Sequence, residues 1–76
     1  MDLMLQTALC VYFVEIKRQA EIGREVIEEV AEKVRRVRVP RGKTVKTALV
    51  YSGHLAPIVE AQGYFNAVID MRDILF

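Results

Sequence analysis

Short apolar runs separated by polar residues open this chain, and a stripe of apolar positions at helical spacing follows them. Asp2 to Gln6 ("DLMLQ") and Cys10 to Lys17 ("CVYFVEIK") read as strands, because both are short, apolar runs. The "TAL" link between them is so short that an antiparallel hairpin is expected. A two-residue turn at Ala8 and Leu9 would set Asp2 directly opposite Glu15. Along the second strand, Val11, Phe13, Glu15 and Lys17 share one face, since strand side chains alternate. Cys10, Tyr12, Val14 and Ile16 share the other face, which is apolar throughout and is the expected core face.

Ala20 to Arg36 reads as a helix, with Ile22, Val26, Ile27, Val30, Ala31 and Val34 forming one stripe. Glu29 with Lys33, and Glu32 with Arg36, stand four apart in the favourable order and are assigned to the opposite, solvated face. Pro40 and Gly42 mark a loop. Val45 to Tyr51 is the third expected strand, with a turn at "SGH". Pro57 and Gly63 bracket a short helix from about Ala56 to Gln62. Tyr64 to Ile69 is the fourth strand, and Asp70 can cap a last helical turn through Met71 to Ile74. The resulting order is β-β-α-β-α-β. A hairpin followed by two right-handed crossovers makes an α/β fold with a small mixed sheet.

Composition sharpens this picture in two respects. Of the 76 residues 53% are hydrophobic, a large share for a chain able to bury only about 60% of its unfolded surface. Part of that apolar surface is therefore expected to be covered by another subunit or a further domain, and a homo-oligomer is expected. The longest apolar run, Ala8 to Val14, is too short to cross a membrane. Asp2 stands where a signal peptide would carry basic residues. A lone cysteine, Cys10, cannot form an internal disulfide, and a reducing cytoplasm is the expected location. The first strand opens the chain, so residues 1–76 are expected to be a single, partial domain.

Charge is unevenly placed although its formal sum is only +1. No acidic residue occurs from Lys33 to Val59, an interval that holds Lys33, Arg35, Arg36, Arg38, Arg41, Lys43 and Lys46. Such a segment can neutralise phosphates of a nucleic acid, or it can be an ordinary solvated helix end and loop. His54, the one histidine, is assigned to the turn after the third strand. Tyr64 and Phe65 are assigned to packing rather than to stacking on bases.

The hairpin gathers Asp2, Glu15 and Lys17 at one end of the sheet. Neighbouring carboxylates repel unless a cation lies between them, and Mg²⁺ or Mn²⁺ suits such oxygen ligands. A divalent ion there can polarise a phosphodiester and acidify a water, and a nearby ammonium can stabilise charge on the phosphate. The bland alternative for Glu15 and Lys17 is a same-face ion pair worth about 0–1 kcal/mol.

"MDLMLQ…CVYFVEIKR", an Asp opening one strand and E-x-K closing the next, resembles the PD-(D/E)xK nuclease superfamily. More closely, "VEIKRQAEIGREVIEEVAEKV" and "TALVYSGHLAPIVEAQGYFNAVI" resemble the C-terminal nuclease-like region attached to some bacterial and archaeal P-loop ATPases. The resemblance implies a restriction-endonuclease-like core lacking its leading helix and strand. It also implies Asp2 and Glu15 as ligands of Mg²⁺ or Mn²⁺, Lys17 as the catalytic lysine, and an ATPase domain as partner. No GxxxxGK[ST] phosphate loop occurs here, so this chain by itself is not expected to bind ATP. The rival expectation is a non-catalytic interaction or dimerisation module on the same fold.

Overall fold

The first strands are joined through Thr7, whose backbone and side chain both close the turn. In the computed structural model, which describes residues 2–75, β1 spans Asp2–Gln6 and β2 spans Cys10–Ile22. The Thr7 N–H donates to the Cys10 carbonyl at 2.8 Å, and the Cys10 N–H donates to Thr7 Oγ1 at 3.0 Å. Ala8 and Leu9 are the two residues between them, and the antiparallel register sets Asp2 opposite Glu15 and Gln6 opposite Val11.

β2 does not stop at Lys17. It continues to Ile22, and the helix α1 begins only at Glu25, ending at Arg36. The residues expected to start a helix at Ala20 instead pair in parallel with β3, Thr44–Leu55. Arg18 lies opposite Ser52, Glu21 opposite His54 and Ile22 opposite Leu55, with a shift of register between Arg18 and Glu21. The expected "SGH" turn is therefore part of a strand, and its glycine explains how. Gly53 has φ +122°, and a Cβ there would sit 1.7 Å from the Gln19 carbonyl oxygen. Only a residue without a side chain lets the two backbones approach this closely at the irregularity. Ile22 remains a core residue, but as the buried end of a strand.

α1 carries Glu25 and Glu28 in its first turn and Lys33, Arg35 and Arg36 in its last, signs that complement the helix dipole. After β3, α2 (Pro57–Ala61) starts on its proline, and Gly63 follows with φ +65°. The last strand, β4, is Ala67–Asp70 and is shorter than the expected Tyr64 to Ile69. Before it, the Asn66 side chain takes the place of a strand bond. Thr47 N–H donates to Asn66 Oδ1 at 2.9 Å, while Asn66 N–H donates to the Thr47 carbonyl at 2.8 Å. The Thr47 hydroxyl donates to the Tyr64 carbonyl at 3.2 Å. Asp70 accepts from the Arg72 N–H at 2.9 Å at the start of α3, Met71–Leu75.

The sheet order is β1-β2-β3-β4, antiparallel between the first two strands and parallel thereafter. This is a small mixed α/β fold. Its core joins Phe13 of β2 and Leu49 of β3 to Val26, Ile27 and Val30 of α1 and Val59 of α2, with Ile22 and Phe65. The buried face of β2 is thus Val11, Phe13 and Glu15, the alternate of the one expected. Cys10, Tyr12, Val14 and Ile16 face the other way and are only half-buried, because α1 and α2 pack on the opposite side. Leu3 and Leu5 extend that second face onto β1, where they are 46% and 51% exposed. Among the described residues no helix is long and apolar enough to cross a membrane.

Candidate functional site

Backbone alternation brings the two carboxylates together. Thr7 and Cys10 form a hydrogen-bonded pair at the turn, so pairs farther out along the ladder alternate from it. Counting back, Asp2 and Glu15 occupy a non-hydrogen-bonded pair, the kind in which facing side chains stand closest. Glu15 points to the helix-covered face and is fully buried, while Asp2 on the edge strand remains partly exposed.

A third group binds both. Lys33 of α1 extends its ammonium to Asp2 Oδ1 at 3.1 Å and to Glu15 Oε1 at 3.0 Å. Lys17, two positions beyond Glu15 on the same face, donates to Glu29 Oε2 of α1 at 2.7 Å. Among the described residues the expected solvated pair of Glu29 with Lys33 does not form, and both residues turn toward the sheet. The reason is visible in their spacing: Lys33 lies three residues after buried Val30 and seven after buried Val26, which continues the apolar stripe. That spacing was the available signal for Lys33, which the charge pattern had grouped with the phosphate-binding cations.

Electrostatics separates the paired acids. Burial pushes the Glu15 carboxyl above the ordinary range, the Lys33 ammonium opposes that push, and the neighbouring Asp2 adds to it. For Asp2, desolvation acts upward but is outweighed by hydrogen bonding with Glu15 and Lys33, so its carboxyl falls below the ordinary value. Lys33 is raised, first by Glu15 and then by Asp2. The pair thus holds its first proton on Glu15, with an ammonium locked against it.

The donor set fits a hard divalent cation in kind, since Mg²⁺ commonly takes one or two protein carboxylates and fills the remainder with water or phosphate. It holds no more than that: among the described residues no group of three or more His, Cys, Asp or Glu side chains converges to hold a metal. The cation between these two carboxylates is the Lys33 ammonium. His54 is exposed on β3 opposite Glu21, beyond the strand irregularity and outside this cluster.

The other basic residues expected to contact phosphates, Arg35, Arg36, Arg38, Arg41 and Lys43, divide into two groups. Arg35 and Arg36 both pair with Glu32, the latter at 3.1 Å. Arg38 and Arg41 are exposed and Lys43 is half-buried, and among the described residues these three form no ion pair. Tyr64 and Phe65 pack edge to face with ring centres 5.1 Å apart, and Phe65 belongs to the core. Set against protein-family models, curated proteins and solved structures, the chain matches none.

Proposed function

We propose that this chain is a nuclease-like module on a restriction-endonuclease-like core, a cytoplasmic part of a larger ATPase, that engages nucleic-acid phosphates at the Asp2–Glu15 pair. The observation that carries this reading is the placement of two carboxylates on paired strands, Asp2 at the start of β1 and Glu15 midway along β2 rather than at the expected sheet end, with Lys17 on the same face and the Lys33 ammonium against both. Asp2 and Glu15 would hold Mg²⁺ or Mn²⁺, which when bound supplies Lewis-acid polarisation of a phosphodiester and an acidified water. Lys33 must withdraw from the pair for that to happen, which its partial exposure permits. Lys17, held by Glu29 in this structure, would stabilise charge on a phosphate oxygen. Arg38, Arg41 and Lys43 supply charge for the backbone of the nucleic acid.

One observation favours the second reading, a non-catalytic interaction module. Both lysines near the acids are already committed to carboxylates, so the cluster is complete without a metal. A Mn²⁺ titration by calorimetry, combined with cleavage of duplex and single-stranded DNA, separates the two. The nuclease reading expects metal binding that is lost in Glu15→Gln, and cleavage that is lost in Lys17→Met while metal binding survives. Equal weak binding by wild type and Glu15→Gln, with no cleavage by either, establishes the second reading instead.

A further inference from the structure

The outer edge of β1 is open and nothing in its residues protects it. Among the described residues no strand pairs with β1 on the side away from β2. Edge strands of monomers are commonly blunted by Lys, Pro or a bulge, and Asp2–Gln6 contains none of these. Its single charge, Asp2, is bound by Lys33. Leu3, Met4 and Leu5 are about half exposed, at 46%, 48% and 51%.

We propose that two copies of this chain pair antiparallel through β1, in a register centred on Met4. The alternation that follows from the Thr7–Cys10 bond turns the backbone groups of Leu5 and Leu3 toward β2 and those of Gln6, Met4 and Asp2 outward. An antiparallel partner can bond only to these three. Centred on Met4, Asp2 meets the partner's Gln6, Met4 meets the partner's Met4 and Gln6 meets the partner's Asp2. All three outward residues of each copy are then used. Moving the register by one pair in either direction leaves one of the three without a counterpart.

Side chains favour the same register. Facing residues of an antiparallel pair share a sheet face, so Leu3 meets the partner's Leu5 on the half-covered apolar side. Each carboxylate faces an amide rather than another carboxylate, which avoids a like-charge pair. The two sheets become one, and the apolar surface of Leu3, Leu5, Tyr12 and Val14 continues across the two-fold axis. A five-residue strand pair buries less than the roughly 800 Å² per partner of a standard stable interface, so a weak dimer is expected, to be sought at about 10–100 µM.

Sedimentation equilibrium of the 76-residue chain across that range, with far-UV circular dichroism as the check on folding, tests the proposal. Wild type should pass from monomer to dimer. Met4→Lys and Met4→Glu each place like charges face to face at the axis and should be monomers with unchanged dichroism, as expected for a half-exposed position. Mixed in equal amounts, the two variants should associate again, because each copy then faces its opposite charge. A wild type that stays monomeric to about ten times that range overturns the proposal. So does a Met4→Lys chain that dimerises as well as wild type, or a mixture that stays monomeric.

Discussion

Lys33 and Glu15 meet at 3.0 Å although one belongs to a helix and the other is the fully buried carboxylate of a central strand. This contact ties α1 to the middle of β2, where Asp2 of the edge strand completes the cluster. Removing the ammonium in Lys33→Met should cost about 1–3 kcal/mol at pH 7, a discounted value because Lys33 is itself 38% exposed. The penalty should shrink below pH 4.5, where Glu15 carries a proton in both folded and unfolded chains. Urea midpoints at pH 4 and pH 7 measure the difference. An equal loss at both values would show that the charge on Glu15 plays no part in what Lys33 contributes.

Glu15 makes the opposite contribution with pH. Its folded-state value is raised, so the folded chain binds the proton more tightly than the unfolded one. Wild type should therefore lose stability relative to Glu15→Gln as pH rises from about 4.5 through that raised value. The difference should level off once Glu15 is ionised in both states. Asp2, shifted the other way, loses its share as pH falls below the ordinary carboxylate range. A constant offset between the two urea curves from pH 4 to pH 8 would contradict this account.

Gly53 should be irreplaceable. Gly53→Ala puts a methyl group against the Gln19 carbonyl and demands a φ that alanine avoids, at an expected loss of about 3 kcal/mol or more. Gly42→Ala is the control: its φ is also positive, but nothing lies within 4 Å of a Cβ there. Thermal unfolding should show a much smaller drop for the control.

Asn66 should matter through one atom. In Asn66→Ala the backbone N–H of buried Thr47 loses its acceptor, which should cost about 1–2 kcal/mol. Asn66→Asp keeps an acceptor oxygen in place and should recover most of that loss in chemical denaturation. Equal destabilisation by both would mean that the amide nitrogen carries the role.

Nucleic-acid binding, if the proposed function holds, should depend on Arg38, Arg41 and Lys43, which form no ion pair among the described residues. Replacing Arg38, Arg41 and Lys43 by Ala should reduce the salt slope for duplex DNA by about 2–3. Replacing Arg35 and Arg36 should change it less, since both are engaged by Glu32. Filter binding from 50 to 200 mM salt, on the order where counterion release is steep, makes the comparison.

The hairpin and the meeting of Asp2 with Glu15 were legible because the link at Ala8 and Leu9 leaves so little choice of register. The true ends of β2 and β3 were not. Arg18 to Ile22 is extended because it pairs with Ser52 to Leu55, and a contact so distant leaves no local mark beyond Gly53. The choice of core face was equally hidden. Both faces of β2 are apolar over most of their length, and it is the packing of Val26, Val30 and Val59 that selects Phe13 over Tyr12. Lys33 escaped because a favourable partner, Glu29, stands four residues away in sequence, whereas tertiary partners claim both side chains.

The candidate site also has an order of assembly in time. Asp2 and Glu15 belong to one hairpin, which can close within about 1–10 µs, whereas Lys33 arrives only when α1 docks on a sheet whose parallel ladder joins Cys10 to Thr44. On these timescales the two acids are expected to come face to face before their shared cation reaches them. During that interval repulsion between them works against the hairpin, and a proton on Glu15 relieves it. Early folding of this chain is therefore expected to be faster in mild acid than the finished structure's ion pairs alone imply, which stopped-flow refolding at pH 4.5 and pH 7 would show.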